Sequence, residues 1–185
     1  MLHGHEGANN LARKTTAVDW PAAIHGVLKQ FDVRQVAYVP DAGHTRLIQA
    51  CHADRAMSAI VLTTEEEGIG IATGAWFGGQ RSALLMQSSG VGNCMNTLSL
   101  ATVCNCPLLM LVTMRGDWGE FNPWQIPMGQ STEALLKTCG LIVMRVDDPA
   151  RVGETVNAAA MLAYNGPNQV AVLLGQRLIG SKSFK

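Results

Sequence analysis

Hydrophobic and polar positions in this chain come in blocks. Six short apolar runs, "QVAYV" (35–39), "SAIVL" (58–62), "SALLMQ" (82–87), "PLLMLVT" (107–113), "LIVMRV" (141–146) and "QVAVLL" (169–174), read as strands. Between them lie stretches whose apolar residues recur at helical spacing, at 45–53, 65–77, 92–104, 131–139 and 149–164. Before the first run, "VDWPAAIHGVLKQF" offers Asp19 as a cap, Pro21 in a first turn and Ala23, Val27 and Phe31 on one face, which predicts an opening helix.

Strands without polar alternation are buried on both faces, and parallel strands need crossover helices. The pattern therefore predicts an α/β, three-layer domain: a six-stranded, mostly parallel sheet with helices on both faces. Residues 1–16 read as a polar lead-in and 17–185 as a single domain, with no internal repeat or low-complexity segment.

Such a sheet binds ligands beyond the carboxyl ends of its strands. The residues that follow the first four runs are Pro40 to His44, Thr64 to Glu67, Ser88 to Asn93 and Met114 to Gln130. The last of these is too long to be a plain connection and carries Trp118, Phe121 and Trp124 beside charge and glycine.

Composition narrows the partners. Fourteen basic and fourteen acidic residues give a formal net charge of zero with no basic stripe, which speaks against nucleic acid and anionic membrane. Hydrophobic residues are 48% and charged residues 15%, a lean surface that predicts burial against another subunit. No apolar run is long enough to span a membrane, and the first residues lack the apolar segment of a signal peptide, so a cytoplasmic, soluble protein is expected. Five cysteines without disulfide or zinc spacing read as reduced, mostly buried thiols.

Two constellations carry the candidate chemistry. Glu65, Glu66 and Glu67 open a helix, where carboxylates are favoured by the helix dipole whether or not they do chemistry. "SSGVGNCMN" (88–96) reads as a Gly-x-Gly turn between strand and helix, either a cradle for an anion or polar ligand or a tight structural turn. It completes neither the dinucleotide fingerprint nor the Walker pattern.

Taken with "YVPDAG" (38–43), these segments resemble the pyrimidine-binding domain of thiamine-diphosphate-dependent 2-oxo acid decarboxylases. "EEEGIGIATGAW" is similar to that family's glutamate segment, with Glu66 in the glutamate's place and Trp76 where the family has Tyr. Within the family, "VPDA" (39–42), "SGVGNCMN" (89–96) and above all "RGDWGEFNPWQIPMG" (115–129) resemble the branch of phosphonopyruvate and sulfopyruvate decarboxylases, with Ala42 for the usual Ser. The resemblance runs from about residue 19 to the end.

The resemblance implies thiamine diphosphate as cofactor, with Pro40, Glu66, Gly90, Val91, Gly92, Asn93 and Asn96 against its pyrimidine ring. The family anchors diphosphate and Mg²⁺ on a second domain through Gly-Asp-Gly and a downstream Asn-Asn. Here the one Gly-Asp pair is followed by Trp118 and no Asn-Asn follows it, so the resemblance implies a separate beta subunit holding the Mg²⁺, a hetero-oligomer, and no metal site on this chain. The implied reaction converts 3-sulfopyruvate to sulfoacetaldehyde and carbon dioxide, with phosphonopyruvate or another 2-oxo acid as the alternative. Glu66 would be catalytic, in a partly apolar cleft that raises its pKa, with Asp41 and His44 assisting. His44, Arg115 and Gln125 are the polar candidates on the rim for the acidic substrate.

Other readings stay open on these residues. Arg115 could be an ion pair with Asp117 or Glu120, Asp41 a turn or cap residue, His44 a helix-start residue, and Asn93 or Asn96 a cap. Met86, Met110 and Met128 could pack on the cofactor or fill the core. From a different class, a nucleotide- or anion-binding module or a non-catalytic scaffold subunit fits the same Gly-x-Gly segment.

Overall fold

The structure, a computed structural model, describes residues 18–180. The lead-in expected over 1–16 lies outside the described residues. Six strands form one all-parallel sheet: β1 (Val33–Tyr38), β2 (Ser58–Val61), β3 (Arg81–Gln87), β4 (Leu108–Thr113), β5 (Ile142–Val146) and β6 (Gln169–Leu174), in the order β2-β1-β3-β4-β6-β5. Each predicted run is a strand, and each crossover is helical, as parallel pairing requires.

β4 shows why the apolar runs do not alternate. Leu109 and Leu111 enter one core with α1 (Trp20–Gln30) and α7 (Val152–Asn165), while Leu108, Met110 and Val112 enter a second core on the other face with α3 (Glu65–Phe77), α4 (Ser88–Cys94) and α6 (Ile126–Thr138). All six residues of β4 are buried, whereas the edge strands β2 and β5 are mostly not. α2 (Thr45–Ala53) packs on the α1 side, and α5 (Leu98–Val103) on the α3 side. Met86 and Met110 are core residues with no exposed surface, which settles their role as filling.

Local signals act as expected at several ends. Asp19 accepts from the Ala22 amide at 3.1 Å and caps α1, with Pro21 in its first turn. α3 spans the predicted 65–77. Three expectations are corrected. The helix predicted over 92–104 is two helices, α4 and α5, with a break at residues 95–97. α4 starts directly at the end of β3, so Gly90 and Gly92 lie inside a helix and not in a turn before one. The loop expected over 114–130 ends early, because α6 begins at Ile126 after a 3₁₀ turn over Pro123–Gln125, with Pro127 in its first turn, where a missing N–H is harmless. A short α8 (Gln176–Ile179) follows β6.

Candidate active site

The chain leaves β1, visits the edge as β2 and returns on the other side of β1 as β3, so the order reverses between β1 and β3. A crevice opens at such a point beyond the carboxyl ends. Asp41 stands there. Its Oδ2 accepts from the Thr113 hydroxyl at 2.6 Å and the Gly43 amide at 3.0 Å, and its Oδ1 accepts from Gln87 Nε2 at 3.1 Å. The turn-capping reading of Asp41 is therefore true of the Gly43 bond, and the other two bonds tie it to the ends of β3 and β4. Asp41, Thr113 and Arg115 line one cavity of about 180 Å³, together with Ala42, Gly43, Ile179 and Gly180.

Arg115 is held by Glu120. Nε and Nη2 each donate to the Glu120 carboxylate at 2.6 Å, a bidentate pair whose side chains are 15% and 2% exposed. The guanidinium holds Glu120 far below its ordinary range, down to about 2. Asp117 is not the partner of Arg115; it pairs with Arg145 at 2.6 Å. Gln176, buried at the start of α8, donates to Glu120 at 2.8 Å and accepts from the amides of Trp118 at 2.9 Å and Asp117 at 3.2 Å. The backbone is fixed too: Ser88 Oγ donates to the Arg115 carbonyl at 3.1 Å and accepts from its amide at 3.0 Å. Gly116 has φ of +81°, and a Cβ there would stand 2.8 Å from Ile126 Cα. Close approach explains why this segment carries glycine.

The three glutamates go three ways. Glu67 reaches back to accept from the Thr63 amide at 2.9 Å. Glu66, half-buried, accepts from the Thr64 hydroxyl. Glu65, buried, accepts from Asn93 Nδ2 at 2.8 Å and lies against Gly90. The expected rise in the Glu66 pKa is corrected: the Thr64 hydroxyl, and after it a backbone hydrogen bond, hold the carboxyl below the usual carboxylate value. Gly92, Asn93 and Asn96 are exposed beside it, Val91 is core, and Gly90 is covered by Glu65.

Two further expectations are corrected. His44 is not on the rim. Its ring has no exposed surface, its Nε2 lies 3.0 Å from the Leu111 carbonyl, and burial holds its pKa below the usual histidine value, so it is neutral near pH 7 and donates that bond. Its Nδ1 has no hydrogen-bond partner among the described residues. Gln125 directly precedes α6 without a side-chain capping hydrogen bond and is not among the residues lining the Asp41–Arg115 cavity. Pro40 is exposed and lines a second depression with Tyr38, Asp41 and Thr45. Among the described residues no group of three His, Cys, Asp or Glu side chains is placed to hold a metal ion.

Comparison with known families decides the assignment. Residues 20–120 match the thiamine pyrophosphate enzyme, N-terminal TPP binding domain. The chain belongs to the thiamine pyrophosphate enzymes. It is 37% identical to sulfopyruvate decarboxylase subunit alpha of Methanococcus maripaludis over 153 residues, 82% of this chain and 92% of that one. To the subunit of the same name from Methanothermobacter thermautotrophicus it is 34% identical, covering 85% and 96%. To phosphonopyruvate decarboxylase of Streptomyces viridochromogenes it is 35% identical, covering 80% of this chain but 37% of that one. In fold it is similar to 2-oxoglutarate:ferredoxin oxidoreductase from Magnetococcus marinus, with a TM-score of 0.70 at 16% identity over 86% of this chain and 29% of that chain.

Against this thiamine pyrophosphate family, the surface at α3 and α4 suits an aminopyrimidine. Glu66 presents an acceptor, and Gly92 leaves its backbone uncovered, with Met128 sulfur 3.4 Å from where a Cβ would stand. The missed residues are Glu65, Gln87, Thr113 and Gln176. Gln87 and Thr113 end strands β3 and β4, and Gln176 stands two residues beyond the end of β6, so extending the rule about carboxyl ends to every strand terminus finds them.

Proposed function

We propose that this chain is the alpha subunit of a thiamine-diphosphate-dependent 2-oxo acid decarboxylase, that its substrate is 3-sulfopyruvate, and that its active site is completed by a beta subunit carrying the diphosphate and its Mg²⁺. The observation that carries the reading is the single cavity that Asp41 and Arg115 wall together at the carboxyl ends of β1 and β4. Its 180 Å³ suits a small acid, being below the roughly 300–1,000 Å³ of pockets for larger ligands. The likeness to sulfopyruvate decarboxylase alpha subunits over most of both chains supports the same reading.

Each residue then has a task. Thiamine diphosphate, when bound, supplies the carbon that adds to the keto group and the electron sink for carbon dioxide loss. Glu66 would hold the pyrimidine N1′ through its carboxyl, and burial against a beta subunit would raise its pKa from the lowered value of the single chain. Arg115 spends Nε and Nη2 on Glu120, which leaves Nη1 to meet the sulfonate or carboxylate. Asp41, held by three donors, orients the substrate at the cavity wall. Gly92, Asn93 and Asn96 form the exposed ridge against the cofactor ring. Five free cysteines, three of them buried, suit a cytoplasmic, reducing setting.

Glu66→Gln in the chain assembled with its partner tests this. Activity on 3-sulfopyruvate falls by at least about 10²-fold if Glu66 handles the proton, and near-normal turnover would refute the assignment. The isolated chain binds thiamine diphosphate negligibly in calorimetry until partner and Mg²⁺ are added. The phosphonopyruvate relative favours a second reading, which turnover of the two acids separates. A nucleotide module loses its ground, since both glycines of its supposed loop lie within α4.

A further inference from the structure

The cavity walled by Asp41 and Arg115 is also lined by Ile179 and Gly180, at the end of α8. Both parts of that lining lead back to one side chain. Gln176 opens α8, and its backbone carbonyl accepts from the Gly180 amide at 2.9 Å, which closes the short helix at a lining residue. Its side chain, only 1% exposed, is spent on the 117–120 turn: Nε2 donates to Glu120 Oε2 at 2.8 Å, and Oε1 accepts from the amides of Trp118 at 2.9 Å and Asp117 at 3.2 Å. Glu120 Oε2 also accepts from Arg115 Nε at 2.6 Å, so one carboxylate oxygen joins Gln176 to the guanidinium.

The two segments leave neighbouring strands, and below Gln176 the sheet already fixes them. The Met114 amide donates to the Leu174 carbonyl at 2.8 Å, and the Gly175 amide to the Val146 carbonyl at 2.9 Å. Beyond the sheet Gln176 joins them, with Arg177 over the Trp118 ring at 5.4 Å as the exposed and weaker contact. The tie needs a side chain that donates and accepts at once. An ionised Glu has no donor, Met has neither, and Asn is shorter by a methylene.

We infer that Gln176 is a positioning residue that sets specificity: it fixes the Arg115 wall relative to the Ile179–Gly180 wall, and thereby the preference for 2-oxo acids bearing a second acidic group. The inference rests on the proposed function of the cavity. A charge-assisted bond weakens steeply when misaligned, so an acid that relies on Arg115 feels the loss of the tie and an acid without the second group does not.

The test uses the chain assembled with its partner. Gln176→Met keeps the length and removes donor and acceptor. KM for 3-sulfopyruvate rises roughly 10- to 100-fold, as a lost hydrogen bond to a charged group costs. Both kcat and the affinity for pyruvate, read as slow substrate or competitor, stay within about threefold of the parent. Gln176→Glu adds a readout that packing alone does not move. The introduced carboxyl meets Glu120 and its Arg115 on one side and the 117–118 amides on the other, where Asp117 is paired with Arg145. Ionised, it repels Glu120 and has no proton to give; protonated, it donates as the amide did, and the like charge raises its pKa. KM relative to the parent at the same pH is therefore raised at about pH 8 and returns toward one as pH falls to about 5. In the isolated chain, amide exchange at 117–118 and 179–180 rises in Gln176→Met while β3 and β4 stay protected. Should those strands lose protection, Gln176→Glu carries the test alone.

A parental KM for 3-sulfopyruvate in Gln176→Met, an equal loss of affinity for both acids, or a Gln176→Glu ratio that is flat across that pH range overturns the inference. With an active parent, any of these leaves the function standing and removes the positioning role alone. A parent assembly that turns over neither 3-sulfopyruvate nor phosphonopyruvate sinks the function reading, and the positioning role with it.

Discussion

Gly129→Ala is predicted to destabilise the chain although it sits in a helix. In an open helical position alanine is favoured over glycine by about 1 kcal/mol. At Gly129 a Cβ would overlap the Arg115 carbonyl oxygen and stand 2.6 Å and 2.7 Å from the carbonyl carbon and Cα of Gly116. These are backbone atoms and cannot rotate aside, so overpacking of about 1–3 kcal/mol applies. The displaced segment also carries the two Ser88–Arg115 bonds, each worth about 1 kcal/mol. The net expectation is a loss of about 2 kcal/mol. Urea unfolding of the isolated chain reads it as a lower midpoint at unchanged slope, and in the assembled enzyme the shifted Arg115 raises KM for the acidic substrate. A Gly129→Ala chain as stable as the parent, or more so, would show that α6 does not lean on the 115–116 backbone and would remove the account of how Arg115 is aimed.

Gly70→Ala is the contrasting case: nothing lies within 4 Å of its Cβ position in mid-α3, so it stabilises the isolated chain by about 0.5–1 kcal/mol in the same urea assay. Glu120 titrates at about 2 in the fold against an ordinary 4.5, so its contribution is complete above pH 4.5 and is lost as pH falls toward 2. That loss amounts to about 3 kcal/mol, and acid unfolding of Glu120→Gln, destabilised at pH 7 by the unpaired Arg115, lacks this step. His44 works in a higher window: its folded pKa is depressed, so the unfolded chain takes up the proton first, and stability falls as pH drops below about 6.5, by up to about 1.4 kcal/mol per pH unit. His44→Gln, which keeps a donor for Leu111, flattens that slope in unfolding curves between pH 5 and 7.

The sheet was legible because strands buried on both faces leave uninterrupted apolar runs, as Leu108–Thr113 does. α3 was legible at both ends, with acidic residues at its start and Gly78-Gly79 at its stop. The Gly90–Gly92 pair misled because spacing alone does not say whether glycine serves a turn or a close approach; here Gly90 clears space for Glu65. α6 was shortened in the reading because Pro127 and Gly129 punctuate loops as readily as first turns. His44 gave no sign of burial, since a lone histidine after a strand reads the same on a rim or under a sheet. Asp41 and Arg115 came from the carboxyl-end rule and a resemblance, while Gln176, an isolated polar residue behind the last strand, carried no motif at all.

The passage of β3 into α4 without a connecting loop has a mechanical consequence. A helix fastened to a central strand moves only if the sheet moves, so the surface of α4 at Gly92 is a fixed anvil. In the proposed assembly, whatever adapts must be the other jaw, or the tryptophan-bearing loop after β4.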